Sequence, residues 1–309
     1  MSAEAALDAD TALDVSALPR HVAVLLRGIG AARLSRIVDV GANPFNDPPY
    51  LALLKAGGCE VTGFEPQEDA LERLNASKGP HETYLPHAVG DGGEGTLRVF
   101  KLAGFTSLYP PDQAAMAFLG KPRWGRVERE VPLTTVTLDD CPGLGPFDLL
   151  KIDIQGGECD VFRGARRLLA EALVVISEVR FYPLYEGEPM LGGVDCELRD
   201  QGFQLHKFMF TESRALGSPQ MERLRFRQLQ DQLVDGDAVY LRDMRDMTQI
   251  SDEQLKHLAI LAAAVFASHS LVLFCLDHLI KRGAIPAALP EAYADALPKR
   301  LHKPDPAGG

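Results

Sequence analysis

The chain predicts an α/β protein built on a doubly wound, mostly parallel sheet with a C-terminal helical extension. Three observations carry that expectation. Short apolar runs within residues 37–43 and 61–66 end abruptly in an acidic residue, glycine or proline, and runs at 147–154 and 174–179 repeat the pattern, as buried parallel strands do. Helical patterns alternate with these runs between residues 37 and 242. Beyond them, residues 251–282 read as one long helix.

The elements follow in order. A helix is expected over residues 16–33. Ile37-Val38-Asp39-Val40 and Val61-Thr62-Gly63-Phe64 flank a helix that Asp47 can cap, with Pro48 as its first residue and Gly57-Gly58 closing it. Residues 69–75 form the next helix with Leu71 and Leu74 inward, residues 84–89 the third strand, and Gly90-Asp91-Gly92-Gly93 a tight turn. The alternation at 96–102 and the β-branched run at 131–138 read as antiparallel additions. The prolines at 110 and 111 keep the intervening loop irregular. Residues 158–170 are helical with Val161, Phe162, Leu168 and Leu169 toward the sheet; 191–201 form a helix capped by Gly202. Strands at 203–210 and 238–241 make an antiparallel late pair.

The long C-terminal pattern starts at a Ser251/Gln254 capping box and stops at Gly283, with Lys281 and Arg282 in its last turn. Its middle, 258–276, carries no charge if His269 is neutral, but Ser268-His269-Ser270 at the centre argues against a membrane span. It is expected to pack on another helix or to form a homodimer contact. The tail from Ala284 onward reads as mostly irregular. The chain thus divides into a lead-in and helix (1–35), a main domain (36–243) and a helical extension with its tail (244–309).

Composition narrows the function. At 309 residues, 46% hydrophobic and 24% charged, the chain is an ordinary globular protein. A net charge of -11 argues against nucleic-acid binding. Five scattered cysteines without a C-x-x-C pair suggest neither a disulfide framework nor a zinc site, and suit a reducing cytoplasmic compartment. Residues 1–16 hold four acidic and no basic side chains, the reverse of a secretory signal.

The first turn names a ligand class. Glu65, at the end of the second strand, can accept two hydrogen bonds from the vicinal hydroxyls of a ribose. A dinucleotide cradle needs three glycines, whereas this turn has Gly41 alone, with Asn43 and Asn46 in the other two places. A nucleoside without phosphates fits, and S-adenosylmethionine is one. An NAD-dependent oxidoreductase, and a scaffold of the same fold that binds a partner protein, are the competing readings.

The order DVGAN (39–43), FEP (64–66), GFTSLYPPD (104–112), TLDD (137–140), DLLKIDIQGGE (148–158), SEV (177–179), GFQLHKF (202–208) and DAVYLRD (237–243) resembles the FkbM-type methyltransferases. The resemblance implies the seven-stranded methyltransferase variant of the Rossmann-like sheet. It also implies S-adenosylmethionine as cofactor and methylation of a hydroxyl on a sugar or other small molecule. Carried over by position, Asp39, Gly41, Ala42 and Asn43 would shape the methionine pocket and Glu65 would bind the ribose. Ala88, Val89 and Asp91 would border the adenine, and Asp153 would face the methyl group and the acceptor. Methyl transfer to an aliphatic hydroxyl benefits from a general base. The candidates are Asp153, Glu158 and Glu178, with His81, His87 and His206 behind them; Ser107, Tyr109 and Tyr182 are expected above the same edge of the sheet. Phe45 stands near a glycine common in the family, and Gln155 where a glutamate is frequent, so neither paired carboxylates at 153 and 155 nor a bound divalent metal is implied.

Overall fold

The computed structural model describes residues 13–304, so the acidic lead-in falls almost wholly outside the described residues. Helix α1 (Arg20–Gly28) leads to β1 (Ser35–Val40), α2 (Leu51–Lys55), β2 (Cys59–Phe64), α3 (Glu68–Ser77) and β3 (Glu82–Leu85). The chain then leaves the sheet as β4 (Glu94–Phe100), α4 (Gln113–Phe118) and β5 (Val127–Thr134), and returns as β6 (Leu149–Ile152). Next come α5 (Glu158–Arg163), α6 (Arg166–Leu169), β7 (Val174–Arg180), α7 (Leu191–Asp200), β8 (Phe203–Arg214) and β9 (Gln232–Arg242). Helices α8 (Asp252–Ala264), α9 (His269–Lys281) and α10 (Leu289–Asp295) follow.

Seven strands form one sheet in the order β3-β2-β1-β6-β7-β9-β8. The five strands from β3 to β7 in that order pair parallel, and β9 runs antiparallel to both its neighbours. The central parallel strands β1, β6 and β7 send alternate side chains into one of two cores, which is why their runs are largely apolar. Ile37, Leu149, Val174 and Ile176 pack against α1, α2 and the C-terminal helices. Val38, Val40, Leu150 and Ile152 pack against α5, α6 and α7. Strands β4 and β5 pair with each other as a separate ribbon and, with α4, cover a third apolar cluster beside Tyr185.

Several expected boundaries move, each for a local reason. Asp47 does not cap a helix at Pro48: helix α2 begins at Leu51 after Tyr50. Pro49 disfavours helical geometry at Pro48, and Asn43 Oδ1 takes the Phe45 and Asn46 amides at 3.1 and 3.2 Å, shaping a loop instead. Strand β3 stops at Leu85 because Pro86 has no N–H to continue the ladder. The helix expected over 158–170 is two helices, because Asp139 accepts from Arg167 N and Leu168 N at 2.8 and 2.9 Å and starts α6 afresh. The long C-terminal helix also breaks. Ala267 adopts a left-handed φ of 48°, and α9 folds back on α8. Lys207 Nζ donates to Phe266 O at 3.0 Å and His206 Nε2 lies 2.7 Å from Ser268 Oγ, so β8 supplies partners at the break. Both halves are buried inside this chain's own core, and among the described residues no helix is long and apolar enough to cross a membrane. The tail is less irregular than expected, since α10 anchors buried Tyr293 next to His269, 2.9 Å away.

Candidate active site

The strand order reverses between β1 and β6, where ligands lodge at the carboxyl ends of a doubly wound sheet. At that point Gly41 turns away from β1 with φ 86°, donating its N–H to Phe64 O at 3.1 Å. A Cβ on residue 41 would lie 2.1 Å from Asp153 O. Only glycine therefore allows β1 and β6 to approach this closely. The crevice above is a cavity of about 270 Å³ lined by Gly41, Asn43, Glu65, Ala88, Val89 and Asp153, six of the residues predicted from sequence.

Glu65 is 5% exposed. Its Oε1 accepts the Gln67 amide at 2.7 Å, which leaves a second oxygen for a ligand. Burial, with Asp39 nearby, pushes its pKa up to about 7, so the carboxylate lacks compensating donors. A pair of ribose hydroxyls would supply them. Pro66 and Gln67 beside it, and His87 with Ala88 and Val89 opposite, complete a slot between the ends of β2 and β3. Leu97 on β4, and Thr106 and Leu108 on the connection that follows β4, complete the lining; sequence reasoning did not single them out for this, since the ribbon's placement rests on long-range contacts.

The remaining predicted residues lie around the cavity and do not line it. Asp39 is buried beneath it, accepting from Tyr50 Oη at 2.5 Å and pairing with Lys151 Nζ at 3.2 Å. Ala42 is buried against the turn, and Asp91 Oδ1 takes the Gly93 amide at 2.9 Å within its own bend. Glu158 accepts from Ile154 N at 3.1 Å and from Gly156 N at 3.0 Å, fastening the loop that follows β6. Its burial pushes its pKa up to about 7. Glu178 accepts from Arg180 at 2.9 Å and Gln155 at 2.8 Å; burial lifts its pKa well above the usual range while Arg180 opposes that rise.

Among the histidines named as bases, His87 alone lines the cavity. His206 sits at the α8–α9 break, and His81 in a polar groove nearer the start of β1 and β2. Ser107 Oγ donates to Gln155 O at 2.6 Å, and Tyr109 Oη to Asp160 Oδ2 at 3.0 Å, so both brace the loop above the sheet edge. Tyr182 stacks on Phe118 with ring centroids 5.5 Å apart. Sequence reasoning did not foresee that Arg180 and Tyr185 converge on Gln155. An arginine ending an apolar strand was the one available signal for the first.

The sequence profile of the methyltransferase FkbM domain matches residues 39–205, more than half of the chain. The 2-O-methyltransferase NoeI of Sinorhizobium fredii (strain NBRC 101917 / NGR234) is 28% identical over 167 residues, 49% of this chain and 66% of that protein. The match therefore spans just under two thirds of that relative's length. Magnesium protoporphyrin IX methyltransferase (ChlM) from Synechocystis PCC 6803, solved with bound SAM, aligns at 13% identity and a TM-score of 0.36, covering 72% of this chain and 76% of that one. The N-terminal domain of EvdMO1, solved with SAH, aligns at 11% identity and a TM-score of 0.36, covering 72% and 79%. The chain belongs to the FkbM methyltransferase domain family.

Proposed function

We propose that this methyltransferase moves the methyl group of S-adenosylmethionine to a hydroxyl of a carbohydrate or other small metabolite. One observation carries the reading: Gly41, Glu65 and Asp153 border a single cavity at the reversal of the strand order. The residues suit the cofactor. Glu65 would accept the ribose hydroxyls, the bare backbone at Gly41 leaves room for the amino-acid portion, and Ala88 and Val89 offer an apolar wall to the adenine. Bound there, the cofactor supplies an electrophilic methyl group on a sulfonium.

Asp153 directly follows the carboxyl end of β6 and lines the same cavity as Glu65. In this reading it holds the acceptor hydroxyl in line and takes its proton as the oxygen–methyl bond forms and the sulfur–methyl bond breaks. Glu158 and Glu178 serve the same chemistry at one remove, by fixing the loop 154–156 and the side chain of Gln155. The 2-O-methyltransferase activity in the name of the Sinorhizobium relative supports transfer to oxygen.

The test is transfer of labelled methyl from S-adenosylmethionine into a panel of hydroxylated sugars and small metabolites, with the product's bond identified by mass spectrometry. Label on oxygen, lost in Asp153→Asn while binding of S-adenosylhomocysteine persists, is the expected result. Label on nitrogen or carbon, or unchanged turnover by Asp153→Asn, would overturn the assignment.

A further inference from the structure

Gln155 has an unusual amount of structure built around it. Its φ is 62°, a left-handed conformation that side-chain-bearing residues adopt only where the surroundings impose it. A loop and a helix start do so: Ser107 Oγ donates to its carbonyl at 2.6 Å, and Glu158, the first residue of α5, accepts from the amides on either side, at Ile154 and Gly156. The side chain is then fully engaged. Its Oε1 accepts from Arg180 Nη2 at 2.5 Å and lies 3.1 Å from Tyr185 Oη, whose one proton is shared with Phe105 O at 2.9 Å. Its Nε2 donates to Asp153 Oδ1 at 2.8 Å and to Glu178 Oε2 at 2.8 Å. A guanidinium can only donate, so the amide's orientation is fixed: oxygen toward Arg180, NH2 toward the two carboxylates. Arg180 is itself pinned by Glu178 at 2.9 Å, Asp235 at 3.0 Å and Glu188 at 3.4 Å.

We propose that Gln155 is a positioning residue, which binds one oxygen of Asp153 and thereby presents the other to the acceptor hydroxyl. The inference rests on Asp153 as proton acceptor. A carboxylate at the rim of a cavity rotates freely unless one oxygen is held; the amide holds it without adding charge. Charge matters here because the groups acting electrostatically on or from Asp153 are mostly acidic. Lys151 lies on its own strand, Glu158 on the helix after its loop, Glu178 on β7, and Asp235 and Asp237 on β9. A glutamate at 155 would place another negative group against Asp153, and an apolar residue would release it.

The experiment follows Asp153 itself. Protein labelled with carbon-13 at the aspartate carboxyls is titrated by NMR in the presence of S-adenosylhomocysteine, with the Asp153 signal assigned by its loss in Asp153→Asn. Gln155→Glu is expected to raise the Asp153 titration midpoint by about one pH unit or more, through like-charge repulsion. Gln155→Met, which removes the donor and keeps the length, should raise it by a smaller amount while leaving S-adenosylhomocysteine affinity within about threefold. A merely structural role would change thermal stability and leave the midpoint where it was. Midpoints within about 0.2 units of the parent in whichever of the two variants retains S-adenosylhomocysteine binding would overturn the proposal. Failure of the underlying reading is separate: it shows as methyl transfer by Asp153→Asn.

Discussion

Position 41 has no room for a side chain, and position 65 has a carboxylate without enough donors; both facts make predictions at the scale of single residues. In Gly41→Ala the new Cβ would meet Asp153 O, and the backbone would be strained at φ 86°. The variant is expected to lose at least about 2 kcal/mol of stability, read from the urea midpoint, and to bind S-adenosylhomocysteine more weakly. Parent-like stability and affinity would contradict the close approach of β1 and β6. For Glu65 the sign follows from linkage. Free Glu65, with its pKa raised to about 7, is partly protonated at neutral pH. Hydroxyl donors favour the ionised form, so binding lowers the pKa and releases a proton. Affinity for S-adenosylhomocysteine should therefore rise with pH through about 7 and level off above it, falling toward about tenfold per unit on the acid side. Calorimetry across that range checks it, with Glu65→Gln as the flat control; equal pH profiles for the two would refute it. Glu65 and Asp153 were legible in the sequence because a carboxylate at the end of an apolar strand has no reason to be there in a buried sheet. The partners of Gln155 were not. Arg180 reaches it through the fold of β7 and β9, whose antiparallel register sets Arg180 opposite Asp235 and Glu178 opposite Asp237. That register is a tertiary fact.

Elements were readable where their signals are local and unreadable where a distant residue ends them. The Ser251/Gln254 capping box was visible in four letters and forms as expected, and Gly202 and Gly283 close their helices with φ of 82° and 70°. Asp139 capping α6 from 28 residues away was invisible. Its removal gives a clean test. Asp139→Ala should cost about 0.5–2 kcal/mol in thermal or urea unfolding without altering S-adenosylhomocysteine affinity, because α6 lies away from the cavity. No loss would mean that the cap contributes nothing. The α8–α9 break was missed for the same kind of reason. Its sequence reads as continuous helix, yet a straight run over residues 251–282 would extend about 48 Å and carry one half of it away from the other. Folding back lets both halves share one core, and Ala267 takes the strained corner. Ala267→Gly should accordingly stabilise the protein by up to about 1 kcal/mol, seen as a higher urea midpoint; a decrease would show that the corner is not strained.

At the scale of the whole molecule, the site depends on helices that never touch it. Strand β1, which ends at Gly41, is held from behind by α8: Ser35 Oγ and buried His257 Nδ1 are hydrogen-bonded at 2.9 Å. Leu255, Leu258, Leu261, Val272, Leu276 and Leu279 are all at or below 1% exposure and share one cluster with Ile37, Leu149, Val174 and Ile176 of the sheet. Fully burying such a side chain contributes about 1.5–3 kcal/mol, so the six together exceed or rival a typical domain's net stability of about 5–15 kcal/mol. Ending the chain after Arg245 removes them all and bares the strands that flank the crevice. The truncated protein is therefore expected to show no cooperative melt, to aggregate, and to gain no thermal stability from S-adenosylhomocysteine. Differential scanning calorimetry with and without that ligand makes the measurement. A sharp transition that the ligand moves upward would show that the sheet stands without α8, α9 and α10. The helical segment would then be an appendage to the methyltransferase domain, and the position of β1 would have to be explained by α1 and α2 alone.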